Sequence, residues 1–435
     1  MLQDLDGWID ALLEMVGPFS PVTYIRRLLR GSSDYPVHIW GADIREKERK
    51  LLGESDDRLP ACGVGLSSAE ALASALGEAY ERYAFSSGDN PRALMDEPCS
   101  IPAPTVESLS VLPLLLSRET NDPKKIHGYL EKTRSWVRII EWDRGRESSE
   151  DLYVPSSLIY AAHSTTELPA SSNGMAAGPN LEFAALHGLY EVVERDAFII
   201  SWHHRYAGQC VDESKLLPKQ VVDWIGRLRQ INIDFRIHDI STELGFFIFL
   251  GYVVQRKEGR AISFSCGAGC GLNPRVAAKR AFLEAALSWK GARELVVSKG
   301  LLGEEEQIGF RPATFSDHLF LYQHQSMMGA VDFLLKQDIS QEEYADAYSF
   351  ASPAEELNSA VNKLSEKGYT LYMLDMTPSE VAAINIRVVR SIVPGLVPLC
   401  WGDYYPLPTK RLVQPEHINP NSWAVERNMD PHPFP

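Results

Sequence analysis

Three times along the chain, a glycine-rich run leads into a segment of helical periodicity whose acidic residues are embedded among apolar ones. The first is "ACGVGLSSAEALASALGEAYERYAFSSGD", the second "SSNGMAAGPNLEFAALHGLYEVVERDAFIISWHHR" and the third "ISFSCGAGCGLNPRVAAKRAFLEAALSWKGARELV". In the first, Ser74, Glu78 and Glu81 fall at i, i+4 and i+7 and share one helix face, with Arg82 alongside. Ser67 or Ser68 is placed to cap that helix. In the second, Glu191 and Glu194 stand at i and i+3, followed by Arg195 and Asp196. In the third, Arg280 and Glu284 stand at i and i+4.

Taken singly, an E-x-x-E-R run on a helix is usually a solvated face. The neighbours argue against that here, because the turns around Glu78 and Glu191 are built largely from Ala, Leu, Val, Tyr and Phe. A carboxylate inside such a helix must be paired, protonated or metal-bound, since an unpaired buried charge is very costly. Two facing pairs, Glu78/Glu81 and Glu191/Glu194, can hold Mg2+ ions that bridge nucleotide phosphates. The glycine runs "SSNGMAAG" (171–178) and "GAGCG" (267–271) read as loops before helices, where backbone amides can receive phosphate. Such loops are as often plain turns. No Walker loop and no convincing dinucleotide fingerprint occurs.

The length of 435 residues suits two or three domains, or one large enzyme core. A formal net charge of −15 argues against a general nucleic-acid binder, which needs clustered Lys and Arg. An anionic ligand such as ATP would need Mg2+ between carboxylates and phosphates. The acidic N-terminus lacks the basic region and cleavage site of a signal peptide, and no apolar run approaches the roughly 18 residues of a membrane span. Six scattered cysteines, with Cys266 and Cys270 as a lone C-x3-C, read as reduced thiols of a cytoplasmic protein.

Strands are expected in "WVRIIEWD", "DLYVPSSLIYAA", "FRIHDIS", "GFFIFLGYVVQ", "GYTLYMLDMT" and "INIRVVRSIVPGLVPL". Strands and helices mix without a clean βαβ rhythm, which predicts a mixed α/β or α+β fold with one large core. We divide the chain into an N-terminal segment (1–58), a catalytic core (59–410) and a Pro-rich tail (411–435). The paired His203 and His204 and the run "DHLFLY" (317–322) read as packing rather than chemistry. The tail ends on Pro431, His432, Pro433, Phe434 and Pro435. Such alternation favours polyproline II, suited either to an inert end or to a rigid prop reaching the chain's own active site.

Taken together, "SALGEAYER", "SNGMAAG", "EVVERDA", "GAGCGLNP", "AKRAFLEA", "VVRSIVPGLVPL" and "PHPFP" resemble the YcaO family over roughly residues 60–435. The resemblance implies an ATP-binding core without Walker motifs, in which carboxylates from several helices hold Mg2+ and ATP. It makes Glu78, Glu81, Glu191 and Glu194 the metal and nucleotide carboxylates. Ser74, Arg82, Asn173, Arg280 and Glu284 become nucleotide or phosphate contacts. The Pro-x-Pro-x-Pro ending resembles the azoline-forming branch, the cyclodehydratases of thiazole/oxazole-modified peptides. In that branch the tail lies near the active site, which puts His432, Pro433 and Pro435 among the catalytic candidates.

The implied reaction converts Cys, Ser or Thr of a ribosomal precursor peptide to thiazoline or oxazoline by phosphorylating a backbone amide oxygen. The implied partners are an E1-like or ThiF-like leader-peptide-binding protein and, where azoline is oxidised to azole, a flavin dehydrogenase. Two rivals stand beside it: thioamide or macroamidine formation, and a non-catalytic scaffold. The chain departs from the family pattern at Val64, where a Lys is frequent. It departs again after Glu284, where Leu287, Ser288 and Trp289 replace a common Gln and Arg.

Overall fold

The computed structural model describes residues 5–29, 35–52, 60–87, 94–96, 115–117, 135–143, 146–147, 152–165, 170–300, 312, 314–345, 349–400, 404–406, 409–418 and 427–434. The glycine runs are mostly strand rather than loop, though 171–174 stays a turn with Gly174 at φ 81°. They form the strands Ala61–Gly65 and Met175–Gly178 and the end of the strand Arg260–Gly271. Glycines at alternate positions share one face of a strand, and that face is pressed against the succeeding helix. A Cβ on Gly63 would stand 2.0 Å from the Ala75 nitrogen, and one on Gly269 would stand 2.2 Å from the Ala277 oxygen. The missing side chains therefore let backbone lie on backbone.

The three helices are Ser68–Ser87, Leu181–His204 and Pro274–Lys299, here called the first, second and third site helices. Each starts on a side-chain cap. The Glu70 amide donates to Ser67 at 3.1 Å and the Phe183 amide to Asn180 at 2.8 Å. The Arg275 amide donates to Asn273 at 3.0 Å, with Pro274 in the first turn, where it has no amide to waste.

A five-stranded sheet separates the second site helix from the third. Its order is Arg260–Gly271, Phe247–Lys257, Ile233–Asp239, Gln209–Val211 and Ile339–Ser340. Alternation along one strand serves both faces: Ile248, Leu250 and Tyr252 join the second helix, while Phe249 and Val253 join the third. A seven-stranded sheet packs against the second site helix on one face and the first on the other. Its main path runs Leu94–Asp96, Ser135–Asp143, Tyr372–Asp375, Arg387–Ile392 and Met175–Gly178. The expected strand "DLYVPSSLIYAA" is shorter than read. It pairs only over Leu152–Pro155 and then turns through two 3-10 segments, beginning where Pro155 has no amide to donate.

The N-terminal segment is built into the core rather than set apart from it. Val22–Leu29 and His38–Ile44 make an antiparallel sheet with Ala61–Gly65. The helix Leu5–Leu13 lies on the first site helix, where the Tyr80 hydroxyl donates to the Leu12 carbonyl at 2.7 Å.

The close strand–helix contact has a direct test. Gly269→Val forces a side chain into the backbone of the third site helix and should lower stability by about 3 kcal/mol or more. Gly271→Ala meets nothing nearer than 3.8 Å and should be tolerated. Urea unfolding of the two variants checks this, and equal losses would contradict the packing described.

Candidate active site

The site is assembled by strand amides that hold helix acids. Glu78 accepts from the Cys62 amide at 2.9 Å, and Glu81 accepts from the Ala177 amide at 2.8 Å. Glu191 is bonded by the Gly174 amide and Glu194 by the Cys270 amide. Two of these bonds cross between units: Glu81 of the first helix reaches the strand before the second, and Glu194 of the second reaches the strand before the third. Glu284 joins from the third helix.

Three arginines interleave with the acids. Arg82 bonds Glu78 at 3.2 Å and Ser172 at 3.5 Å. Arg195 lies 3.5 Å from Glu191 and 4.0 Å from Glu194, yet its buried Nε and Nη1 have no hydrogen-bond partner. Arg280 donates to His187 Nδ1 at 2.8 Å.

The Glu191 and Glu194 side chains are 27% and 14% exposed, while Glu284 and Ser74 open outward. Desolvation pushes Glu81 up to about 8, reinforced by Glu78 and Glu191 and opposed by the Ala177 amide. Desolvation also raises Glu194 to about 7, against Arg195, and Glu284, exposed at the rim, is raised in the same direction, with Glu194 and Glu78 adding repulsion. Glu191 is raised for the same first reason and lowered in part by Arg195 and Arg82. Like charges crowded in this way call for cations.

Among the described residues, no three acids, histidines or cysteines converge on a single metal position. The donor set still fits Mg2+, which commonly takes one or two carboxylates and completes its shell with water and phosphate oxygens. The unpartnered N–H groups of Arg195 complement it as donors to an anion. A cleft lined by both signs suits a magnesium nucleotide better than either ion alone.

The sequence candidates fall into three groups. Glu78, Glu81, Arg82, Glu191, Glu194, Arg280 and Glu284 come together in the cleft. Ser74 lies at its rim, and the Asn173 side-chain amide donates to the Leu399 carbonyl at 3.3 Å beside Arg195. Tail residues form the third group. The Trp202 indole donates to the Asp430 carbonyl at 2.9 Å and Tyr322 to the Pro431 carbonyl at 2.5 Å. His432 stacks on His318 at 4.3 Å, and its Nε2 donates to the Cys400 carbonyl at 2.5 Å. That bond fixes the lone pair on Nδ1, and burial holds the ring neutral. Pro433 is buried beside it, and Pro435 lies outside the described residues.

The sequence marks Phe434 only as part of the tail and Arg195 only as the residue after Glu194, and gives neither a role of its own. Phe434 is buried against Phe198, and the Arg195 guanidinium lies 4.4 Å over its ring. The signal for Arg195 was its position directly after Glu194 in E-x-x-E-R. At the departures, Val64 joins an apolar cluster with Ala281 and Phe282, and Trp289 packs on Tyr35 and Trp224.

With this geometry in place, the comparisons with known proteins are specific. A family profile described as "YcaO cyclodehydratase, ATP- and Mg2+-binding" matches residues 62–397. The chain belongs to the YcaO family, as the resemblance read from the sequence implied. An uncharacterized protein in the tfuA 3' region of Rhizobium leguminosarum bv. trifolii is 26% identical over 285 residues, 62% of this chain and 64% of that one. Among solved structures, a heterocyclase in complex with substrate and cofactor gives a TM-score of 0.67 at 21% identity. The match covers 99% of this chain and 57% of that one. YcaO from Methanopyrus kandleri, bound with AMPPCP and Mg2+, gives 0.58 at 19% identity and 86% coverage of both chains. The E. coli microcin synthetase McbBCD complex gives 0.59 at 14% identity, covering 94% of this chain and 96% of that one. The chain thus spans under two thirds of the Rhizobium relative and of the substrate-bound heterocyclase.

The raised acids predict a pH dependence. A carboxyl whose pKa is higher folded than unfolded stabilises the protein below about 4.5, and that contribution is lost as pH rises through about 7 to 8. Without ligand, Tm should therefore fall from pH 6 to pH 8.5. Mg2+ with AMPPCP should raise Tm more at pH 8.5 than at pH 6, because protons compete for the same oxygens. Differential scanning fluorimetry at the two pH values reads this; a ligand shift that is larger at pH 6 contradicts it.

Proposed function

We propose that the chain is an ATP- and Mg2+-dependent peptide cyclodehydratase that converts Cys, Ser or Thr of a ribosomal precursor peptide to thiazoline or oxazoline. The observation that carries the reading is the pairing of desolvated acids with the unpartnered donors of Arg195, under a tail that closes over Arg195 through Phe434. In this reading Glu78, Glu81, Glu191 and Glu194 hold the metal ions. Ser74, Arg82, Asn173, Arg195, Arg280 and Glu284 contact the nucleotide. When bound, magnesium ATP supplies the phosphoryl group that turns an amide oxygen into a leaving group.

The substrate's O–H or S–H adds across the preceding amide carbonyl and gives up its proton. The former carbonyl oxygen then departs as phosphate, and the C=N bond forms with loss of the amide proton. The protein's share is positioning and charge neutralisation. Phe434 shields one face of Arg195 from water, which strengthens the guanidinium's pull on an anion. His432 is neutral with an unpartnered Nδ1, but burial holds its pKa well below the usual histidine range, so it is a weak base and its part here is to pack the tail. Its flanking prolines restrict the tail to an extended path. A separate or fused E1-like or ThiF-like partner would present the leader peptide, and a flavin dehydrogenase would act after azoline formation.

A second reading, a non-catalytic scaffold, draws on the apolar packing of Val64 and Trp289 where the family favours polar side chains. Nucleotide binding separates the two, since only a ligand of the native state raises Tm.

Mass spectrometry of a Cys/Ser-rich precursor, incubated with this protein, its partner and magnesium ATP, tests the main reading. The expected result is loss of one water per modified residue with matching phosphate release; oxygen-to-sulfur exchange would move the protein to thioamide chemistry. Glu191→Gln or Glu194→Gln should lower ATP turnover about 100-fold or more with the fold retained. Full-rate turnover in either would remove the metal-site assignment. Phe434→Ala should slow cyclisation about tenfold or more, whereas normal product formation would return the tail to a passive role.

A further inference from the structure

His187, Glu191 and Glu194 fall at i, i+4 and i+7, so the histidine continues the acidic face of the second site helix one turn toward its start. Arg280 of the third site helix donates through Nη2 to His187 Nδ1 at 2.8 Å and through Nη1 to the Cys270 carbonyl at 3.4 Å. Its charge reaches Glu194 and Glu284, yet among the described residues no carboxylate hydrogen-bonds it. Arg82 and Arg195, by contrast, stand 3.2 Å from Glu78 and 3.5 Å from Glu191.

A guanidinium has donors only and stays charged at any ordinary pH. A nitrogen that accepts from it must carry a lone pair, so the His187 proton sits on Nε2 and the ring is neutral. Burial, and after it the arginine's charge, keep the ring in that state. The bond therefore fixes the guanidinium without cancelling its charge, which a carboxylate in the same place would do. The N–H groups not spent on His187 and Cys270 remain for a ligand.

The same ring also packs, with its centroid 4.2 Å from that of Phe183 and 6.3 Å from that of Tyr190. Packing asks only for a flat ring, and phenylalanine would serve it. Orienting Arg280 asks for an uncharged acceptor at the Nδ1 position. The two roles therefore make different demands on the residue at 187.

We propose that His187 is a positioning residue for the nucleotide, holding Arg280 toward the phosphates as an uncharged acceptor. This rests on the reading above in which Arg280 contacts magnesium ATP.

Isothermal titration calorimetry of the full chain with magnesium AMPPCP tests it. His187→Phe keeps the ring and removes the acceptor, and Kd should rise about tenfold. His187→Asn returns an oxygen to the Nδ1 position and should bind within about threefold of wild type. His187→Asp places an oxygen there too but pairs Arg280 with a charge, so it should weaken binding at least as much as His187→Phe. In an Arg280→Gln background, His187→Phe should cost less than about twofold more, because the histidine acts through the arginine. Wild-type affinity in His187→Phe overturns the proposal, as does an asparagine variant no better than the phenylalanine one, or additive losses in the double variant. If His187→Phe fails to fold, the asparagine and aspartate variants decide alone, and equal affinities of the two overturn it. A wild type that binds no magnesium AMPPCP removes the nucleotide reading itself, whereas intact binding that is indifferent to position 187 removes only the role of His187.

Discussion

Carboxylates of one sign cannot be crowded among apolar side chains unless each is held in place, and here main-chain amides do the holding. Cys62, Gly174, Ala177 and Cys270 each offer an N–H to a different glutamate. An amide donor steadies a carboxylate without adding a titratable charge, so the acids remain available to an external cation. The geometry depends on glycine. Where Gly63 and Gly269 lack a Cβ, the helices come close enough for an acid on one element to reach the backbone of another.

The run Glu194, Arg195, Asp196 extends that arrangement outward. Glu194 faces the acid cluster. Arg195 touches Glu191 and Glu194 on one side and the Phe434 ring on another. Asp196 is fully buried and accepts from the Val397 amide at 2.9 Å and from Arg411 at 2.7 Å. Arg411 also pairs with Glu243. One helical turn thus ties together the acids, the end of the tail and its beginning at Arg411. Displacing the tail would expose a face of Arg195 to water and weaken its field at the acids, so tail docking and site electrostatics are coupled through a single side chain.

Much of this was legible in the sequence, and the reasons for the misses are physical. The acids could be found because periodicity near 3.6 placed them on common faces and their apolar neighbours ruled out a solvated surface. The glycine runs were misread because glycine is weighed first as a turn former. The overlooked signal was its period of two, in "GVG" and "GAGCG", which marks a strand face pressed against another backbone. Pairing of Val22–Leu29 and His38–Ile44 with Ala61–Gly65 could not be seen, since register between distant strands leaves little local trace. Arg195 was passed over because an arginine after two glutamates reads as their salt-bridge partner. It does pair with both, at 3.5 and 4.0 Å, and only the structure shows that its Nε and Nη1 are buried without a hydrogen bond.

Arg280 shows how the third site helix contributes a cation that faces Glu194 and Glu284 without a carboxylate hydrogen bond among the described residues. It donates to the Cys270 carbonyl at 3.4 Å and to His187, which burial and the arginine's own charge keep neutral, with its pKa well below the usual histidine range. The guanidinium also lies 5.7 Å from the Tyr190 ring centre, and the Tyr190 hydroxyl donates to Glu356 at 2.5 Å. An arginine oriented by an imidazole and a ring keeps more of its charge for a ligand than one locked to a carboxylate. Arg82, bonded to Glu78, has spent more of its own. The packing of Val64 and Trp289 into the core removes two polar side chains from the family pattern, but it leaves the Arg280 corner of the cleft intact, and with it the charge a phosphate would meet.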